Sequence, residues 1–136
     1  MNNKKVTLSK YRFKKAKEDL ASSKVNLENN LFKASINRSY YCIFHSIRAV
    51  NALDGFDSKR HSGVISHFNQ FFIHTGEFKV ATYSIITSAY KIREKSDYDD
   101  FYIATKQDAE EQLRNAEKFL NEVESFLERK YKEFMT

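Results

Sequence analysis

Between Lys33 and Asp54 the chain reads KASINRSYYCIFHSIRAVNALD, and inside those end residues only Arg38 and Arg48 carry formal charge. At about 100° per residue, Ile36, Tyr40, Ile43, Phe44, Ile47 and Val50 gather on one side of a helix. Arg38, Tyr41, His45 and Arg48 fall on another side, at spacings of three, four and three. The small residues Ala34, Cys42, Ala49 and Ala52 fill much of the remainder, where neighbouring helices can pack closely. A helix apolar or small nearly all round is a central one, covered on several sides. Its polar stripe is then the feature to explain, because a buried Arg or His needs a partner or a ligand.

The flanking segments keep helical periods. From about Thr7 to Asn30, Phe13, Ala16, Leu20, Ser23, Leu27 and Asn30 recur at three and four, leaving Lys and Glu outside. Asn29-Asn30 predicts a break, and Gly55 a left-handed cap after the central helix. Gly55 to Gly63 reads as a loop with a basic centre of Lys59, Arg60 and His61. Ser62 or Gly63 starts a short helix through Val64, Ile65, Phe68, Phe71 and Phe72, ending near Thr75-Gly76. A third long helix, about Glu77 to Lys95, is expected to bury Val80, Tyr83, Ile86, Ala89, Tyr90 and Ile92. Ser96 to Ala104 is acidic and aromatic without helical periodicity. Thr105 and Asp108 imitate a capping box, with Asp for the usual Glu. Ala109, Leu113, Ala116, Leu120, Val123 and Leu127 then hold a heptad spacing, so the two terminal helices are expected to lie antiparallel against each other.

Composition agrees with that pattern and narrows the chemistry. Pro is absent and Gly occurs three times in 136 residues, which favours long helices joined by short turns. The expectation is one all-α domain over 1–136, with its core at about 7–132. Cys42 is the single cysteine, so no intramolecular disulfide forms. The first residues lack the apolar core of a secretory signal, and no run of about 18 apolar residues exists, which predicts a cytoplasmic protein that spans no membrane. The net charge of +5 permits an anionic partner, but the Lys and Arg are dispersed among Glu.

Metal chemistry is not expected, and no cofactor is implied. A di-iron bundle needs Glu-x-x-His on two helices, and no such spacing occurs. His61, His67 and His74 form no zinc pattern, and Asp97, Asp99 and Asp100 lack the Gly and closing Glu of a calcium loop. The remaining candidates are the Arg38, Tyr41, His45, Arg48 stripe and the segment Arg93 to Phe101. One reading is internal: Arg38 or Arg48 pairs with Asp97, Asp99 or Asp100, and His45 hydrogen-bonds inside the core. The other is that these groups hold a phosphate or a base, with Arg making forked contacts and Tyr stacking.

Three blocks in order, NRSYYCIFHSIRAVNALDG, HSGVISHFNQFFIHTGEF and the Arg-x-x-x-Asp-Tyr of Arg93 to Tyr98, resemble the HEPN domain superfamily. The small stand-alone bacterial and archaeal members are most similar, over about Lys14 to Leu127. The resemblance implies an up-down four-helix bundle with an additional short helix, a homodimer across its central helices, and RNA or nucleotide chemistry. It also implies a nucleotidyltransferase partner in a toxin–antitoxin or defence pair. Active members carry Arg, four to six residues, then His, and two copies meet to cleave RNA without metal. Arg93 matches that Arg, but Tyr98 stands at the spacing of the His. An ordinary Tyr, with a pKa of about 10, is a poor base near neutrality.

The expected function is therefore RNA or nucleotide binding, with Arg38, Tyr41, Arg48 and Asp97 as ligand-binding residues. The alternatives are a metal-independent endoribonuclease toxin, with Arg93, Tyr98 and His45 as catalytic residues, and a non-catalytic dimeric interaction module.

Overall fold

The central segment forms α2 (Phe32–Ala52), which packs against every other long helix. The computed structural model describes residues 2–135. Around α2 lie α1 (Asn2–Glu28), the short α3 (His61–Phe68), α4 (Val80–Tyr98) and α5 (Lys106–Met135). A π-turn, Asn69–Ile73, continues α3 to the start of the turn before α4. No strand occurs among the described residues, so the fold is all-α, an up-down four-helix bundle with one additional short helix.

Small residues set how closely α1 and α2 approach. The Ser23 hydroxyl reaches the Ser35 carbonyl at 2.9 Å and the Ser39 hydroxyl at 2.7 Å, and Ser35 donates back to the Ser23 carbonyl at 3.0 Å. Ser9 donates to the Ala49 carbonyl at 2.7 Å, so the hairpin is tied near both ends. Each of these four seam hydroxyls thus has a partner, which removes the desolvation cost it would otherwise carry.

The hairpin turn is made by Asn30, whose φ of 60° lies in the left-handed region. The Leu31 amide donates to the Asn26 carbonyl and the Asn30 amide to that of Leu27, the two bonds of a Schellman end. Gly55, at φ 72°, closes α2 in the same way, with Phe56 donating to Asn51 and Gly55 to Ala52.

The heptad residues Ala109, Ala116, Leu120, Val123 and Leu127 are buried, and α5 runs antiparallel to α1. Lys17–Glu124 at 3.2 Å and Lys24–Glu117 at 2.9 Å mark that register. Yet α1 meets α2 far more extensively than it meets α5. The reason is the serine seam, which lets the hairpin pair close up along its length. No helix among the described residues is long and apolar enough to cross a membrane.

Several expected boundaries and burials shift. α1 starts at Asn2 rather than near Thr7. α4 starts at Val80 and runs on to Tyr98, so Ser96–Tyr98, expected to be irregular, are helical. Ala34 is exposed, Val80 is 79% exposed and Tyr83 48%, against the expectation that each is covered. α4 turns its buried Thr82, Ile86 and Ala89 side to α2 and α5, which leaves Val80 and Tyr83 facing outward. The Thr105 hydroxyl does cap Asp108, accepting its amide at 3.0 Å. The Asp108 carboxylate, however, accepts from the Tyr102 hydroxyl at 2.9 Å, so it serves the incoming loop.

Candidate functional site

Tyr41 is half-buried on the face of α2 turned towards α3 and α4, and four chemistry-bearing side chains gather on its ring. The Arg38 guanidinium lies 5.0 Å from the ring centre and that of Arg93, from α4, lies 5.6 Å away. Arg93 also donates to the Tyr41 hydroxyl at 3.3 Å and sits 5.1 Å over the Tyr40 ring. The His45 ring stands 5.8 Å from Tyr41 and the His61 ring 5.9 Å, edge-on. The Arg38 and His45 contacts follow from helical spacing, since positions 38, 41 and 45 share one face of α2. Those of Arg93 and His61 require the tertiary fold.

Of the site residues expected from sequence, Arg38, Tyr41, His45 and Arg93 are therefore brought together. Asp97 joins them through Arg93, with its carboxylate 2.9 Å from Arg93 Nε, one helical turn on. Tyr98 is 70% exposed, with Arg93 6.0 Å from its ring centre. Arg48 belongs to a separate cluster. It and Arg12 both reach Asp57 Oδ2 at 3.0 Å.

The expected internal partners were wrong. Arg38 pairs with Asp19 at 3.0 Å and Arg48 with Asp57, neither with Asp97, Asp99 or Asp100. The acceptors come from α1, laid along α2, and from the loop that leaves α2 directly. His45 does not hydrogen-bond inside the core: its Nδ1 is buried without a partner, and its Nε2 is 3.8 Å from Asp19.

The electrostatics follow from burial among cations. Burial, reinforced by Lys15, Arg48, Arg38 and Arg12, pushes His45 down to about 4, so it is neutral near pH 7. His61 is lowered for the same leading reason, with Arg93 adding to it. Burial raises Tyr40 and keeps its phenol protonated. Arg93 loses by burial but gains more from Tyr41 and Asp97, and is raised overall. Asp57 is lowered, because the Arg48 hydrogen bond and the Ser58 amide outweigh its burial. The site thus holds fixed cations and neutral imidazoles.

Sequence reading missed Asp19, Asp57, Arg12, Tyr40 and His61. Arg12 and Asp19 are one heptad apart beside the Phe13, Ala16, Leu20 seam, a signal that could have placed both against α2. The Tyr40 ring lies in the core as its spacing predicts, but its hydroxyl reaches His61 Nδ1 at 2.8 Å. His61 opens α3 and stacks on Phe44 at 4.1 Å, a placement no local pattern gives. Beside the site, an open groove of about 920 Å³ lies between α3 and α4, bordered by Ile65, Ile73, Val80, Tyr83, Ile86 and Tyr90. Among the described residues no group of three His, Cys, Asp or Glu side chains is placed to hold a metal ion.

The chain is similar to a candidate toxin of Methanocaldococcus jannaschii, 34% identical over 112 residues that cover 82% of this chain and 83% of that protein. A UPF0332 protein of Thermotoga maritima is 28% identical over 126 residues, covering 93% and 96%. The crystal structure of an archaeal HEPN homologue superposes with a TM-score of 0.64 at 20% identity, over 88% of this chain and 97% of that one, and so shares the fold. Residues 9–126 match the HEPN domain, and the chain belongs to that family.

Proposed function

We propose that the protein binds RNA or a nucleotide at the Tyr41 site. The observation that carries this reading is the half-exposed Tyr41 ring with the guanidinia of Arg38 and Arg93 5.0 and 5.6 Å from its centre. Ring and cations together suit a ligand that is both anionic and flat, with phosphate on the arginines and a base near the aromatic faces. His45 near 4 and a buried, raised Tyr40 leave both groups neutral at pH 7, which favours binding over proton transfer.

The protein acts in the cytoplasm as a toxin-like member of a toxin–antitoxin or defence pair. Its relatives in Methanocaldococcus jannaschii named as candidate toxins support that role. A nucleotidyltransferase is the partner in that pair. A homodimer across α2 and α4 accounts for the exposed Val80 and Tyr83 beside the α3–α4 groove. A monomer by light scattering at high micromolar concentration overturns the dimer.

The candidate-toxin names also favour a second reading, metal-independent RNA cleavage using Arg93 with Tyr98 or His45. One experiment separates the two. Binding alone predicts that Arg93→Ala weakens oligoribonucleotide affinity by about 1.5–3 kcal/mol, while the wild type leaves RNA intact in EDTA. Cleavage in EDTA that disappears in Arg93→Ala and in Tyr98→Phe or His45→Ala overturns the binding-only reading.

A further inference from the structure

His61 and Arg93 approach the same two rings from different helices. His61 lies 5.8 Å from the Tyr40 ring and 5.9 Å from that of Tyr41; Arg93 lies 5.1 and 5.6 Å from them. The His61 ring is fixed twice over. Phe44 stacks on it at 4.1 Å, and the Tyr40 hydroxyl holds Nδ1 at 2.8 Å. Nε2 finds no hydrogen-bond partner among the described residues, and His61 is only partly buried.

The direction of the Tyr40–His61 bond follows from what each group can do. Tyr40 is 2% exposed and protonated, so its hydroxyl hydrogen must go to an acceptor. Nδ1 is the acceptor within reach. The opposite tautomer, with hydrogen on Nδ1, would leave the buried phenolic hydrogen unpaired, at the cost of an unsatisfied buried donor. In a neutral imidazole whose Nδ1 accepts, the hydrogen is on Nε2. Tyr40 thus turns His61 into a donor at Nε2, the ring nitrogen without a hydrogen-bond partner among the described residues.

We propose that His61 is a ligand-binding residue of the Tyr41 site, donating its Nε2–H to a phosphodiester oxygen, and that Tyr40 is the positioning residue that sets its tautomer. The inference rests on the binding reading above and deepens it to a ligand class. The N–H groups that Arg38 keeps beyond Asp19 and Asn37, those that Arg93 keeps beyond Asp97 and Tyr41, and His61 Nε2 are all donors, so the complementary group is acceptor-only and anionic. A phosphodiester meets both conditions, whereas a base edge mixes donors with acceptors.

The test uses the full chain and a short fluorescein-labelled single-stranded oligoribonucleotide. Gln can place its amide N–H where Nε2 stands, and Asn where Nδ1 stands. His61→Gln is expected to keep affinity close to wild type, while His61→Asn loses roughly tenfold or more, as the loss of a hydrogen bond to a charged group does. Both variants lose the Phe44 stack alike, so packing cannot separate them. Equal affinities in the two variants, at any level, overturn the proposal.

Nitrogen-15 spectra of the histidine rings supply a readout that does not depend on affinity. Wild type should show the Nε2–H tautomer at His61, and Tyr40→Phe a mixture; a mixture in wild type overturns the positioning role. Adenylyl-adenosine should shift the His61 Nε2 signal where adenosine alone does not. An equal shift with adenosine overturns the phosphodiester assignment. Failure of wild type to bind the oligonucleotide removes the binding reading and this inference together. Binding that needs Arg93 but treats His61→Asn like His61→Gln removes this inference alone.

Discussion

The α1–α2–α5 side of the bundle and the Tyr41 face treat polar groups in opposite ways. On the first, Ser9, Ser23, Ser35 and Ser39 are buried and hydrogen-bonded, and the lysines pair with Glu117 and Glu124 at the rim. On the second, His45 Nδ1 is buried without a partner, Arg38 and Arg93 lie over aromatic rings, and Val80, Tyr83 and Tyr98 face outward. A region that only has to hold together satisfies its groups internally. A region that leaves a buried imidazole nitrogen without a partner, guanidinia with N–H groups beyond those their carboxylates take, and apolar surface uncovered has capacity left for something else.

The largest test of that contrast is to place a charge in the satisfied side. Leu120 is 5% exposed and Leu20 9%. Leu120→Asp or Leu20→Asp should cost several kcal/mol, in the range of about 3–5, because an unpaired carboxylate enters the core. A thermal melt near wild type for either variant would reject this packing. RNA binding is uninformative for such variants, since folding itself is at stake.

A second test uses the unsatisfied histidine. The folded state holds His45 near 4, below its ordinary value of 6.5, so the unfolded chain binds the proton more readily between those values. Stability is therefore complete above about pH 6.5 and falls as the pH drops towards 4. The contribution of this one group is at most about 3 kcal/mol. His45→Gln should flatten that part of the stability profile in urea titrations at stepped pH. An unchanged slope would mean that His45 is solvated.

Smaller still is the ion cluster beside the site. Asp57→Ala leaves Arg12, only 7% exposed, without its carboxylate, while Arg48 at 25% keeps access to water. Because Asp57 is itself 46% exposed, the expected loss is modest, about 1–2 kcal/mol. Restoration of stability in Arg12→Met/Asp57→Ala, measured by urea melts, would show that the cost lies in the orphaned guanidinium. At the bottom of the scale, Lys17→Ala with Glu124→Ala should change stability by less than about 0.5 kcal/mol, since both partners are exposed. A larger loss would mean that the rim of the satisfied side carries more than register.

The sequence by itself determined the all-α class, the central position of Lys33–Asp54 and the capping turns at Asn30 and Gly55. These depend on short-range causes: the 3.6-residue period, the absence of Pro, and the backbone freedom of Asn and Gly. It also determined that Arg38, Tyr41 and His45 share a face, because that is a property of one helix. Which carboxylates they meet was decided by tertiary structure. Asp19 and Asp57 reach them because the serine seam lays α1 along α2 and because the α2–α3 loop folds back. The same holds for His61, whose role depends on α3 setting its ring against Phe44 and Tyr40, and for Arg93, carried in by α4. Spacing fixes what lies on one helix face; contact between faces depends on how several helices pack at once, and no local pattern encodes that.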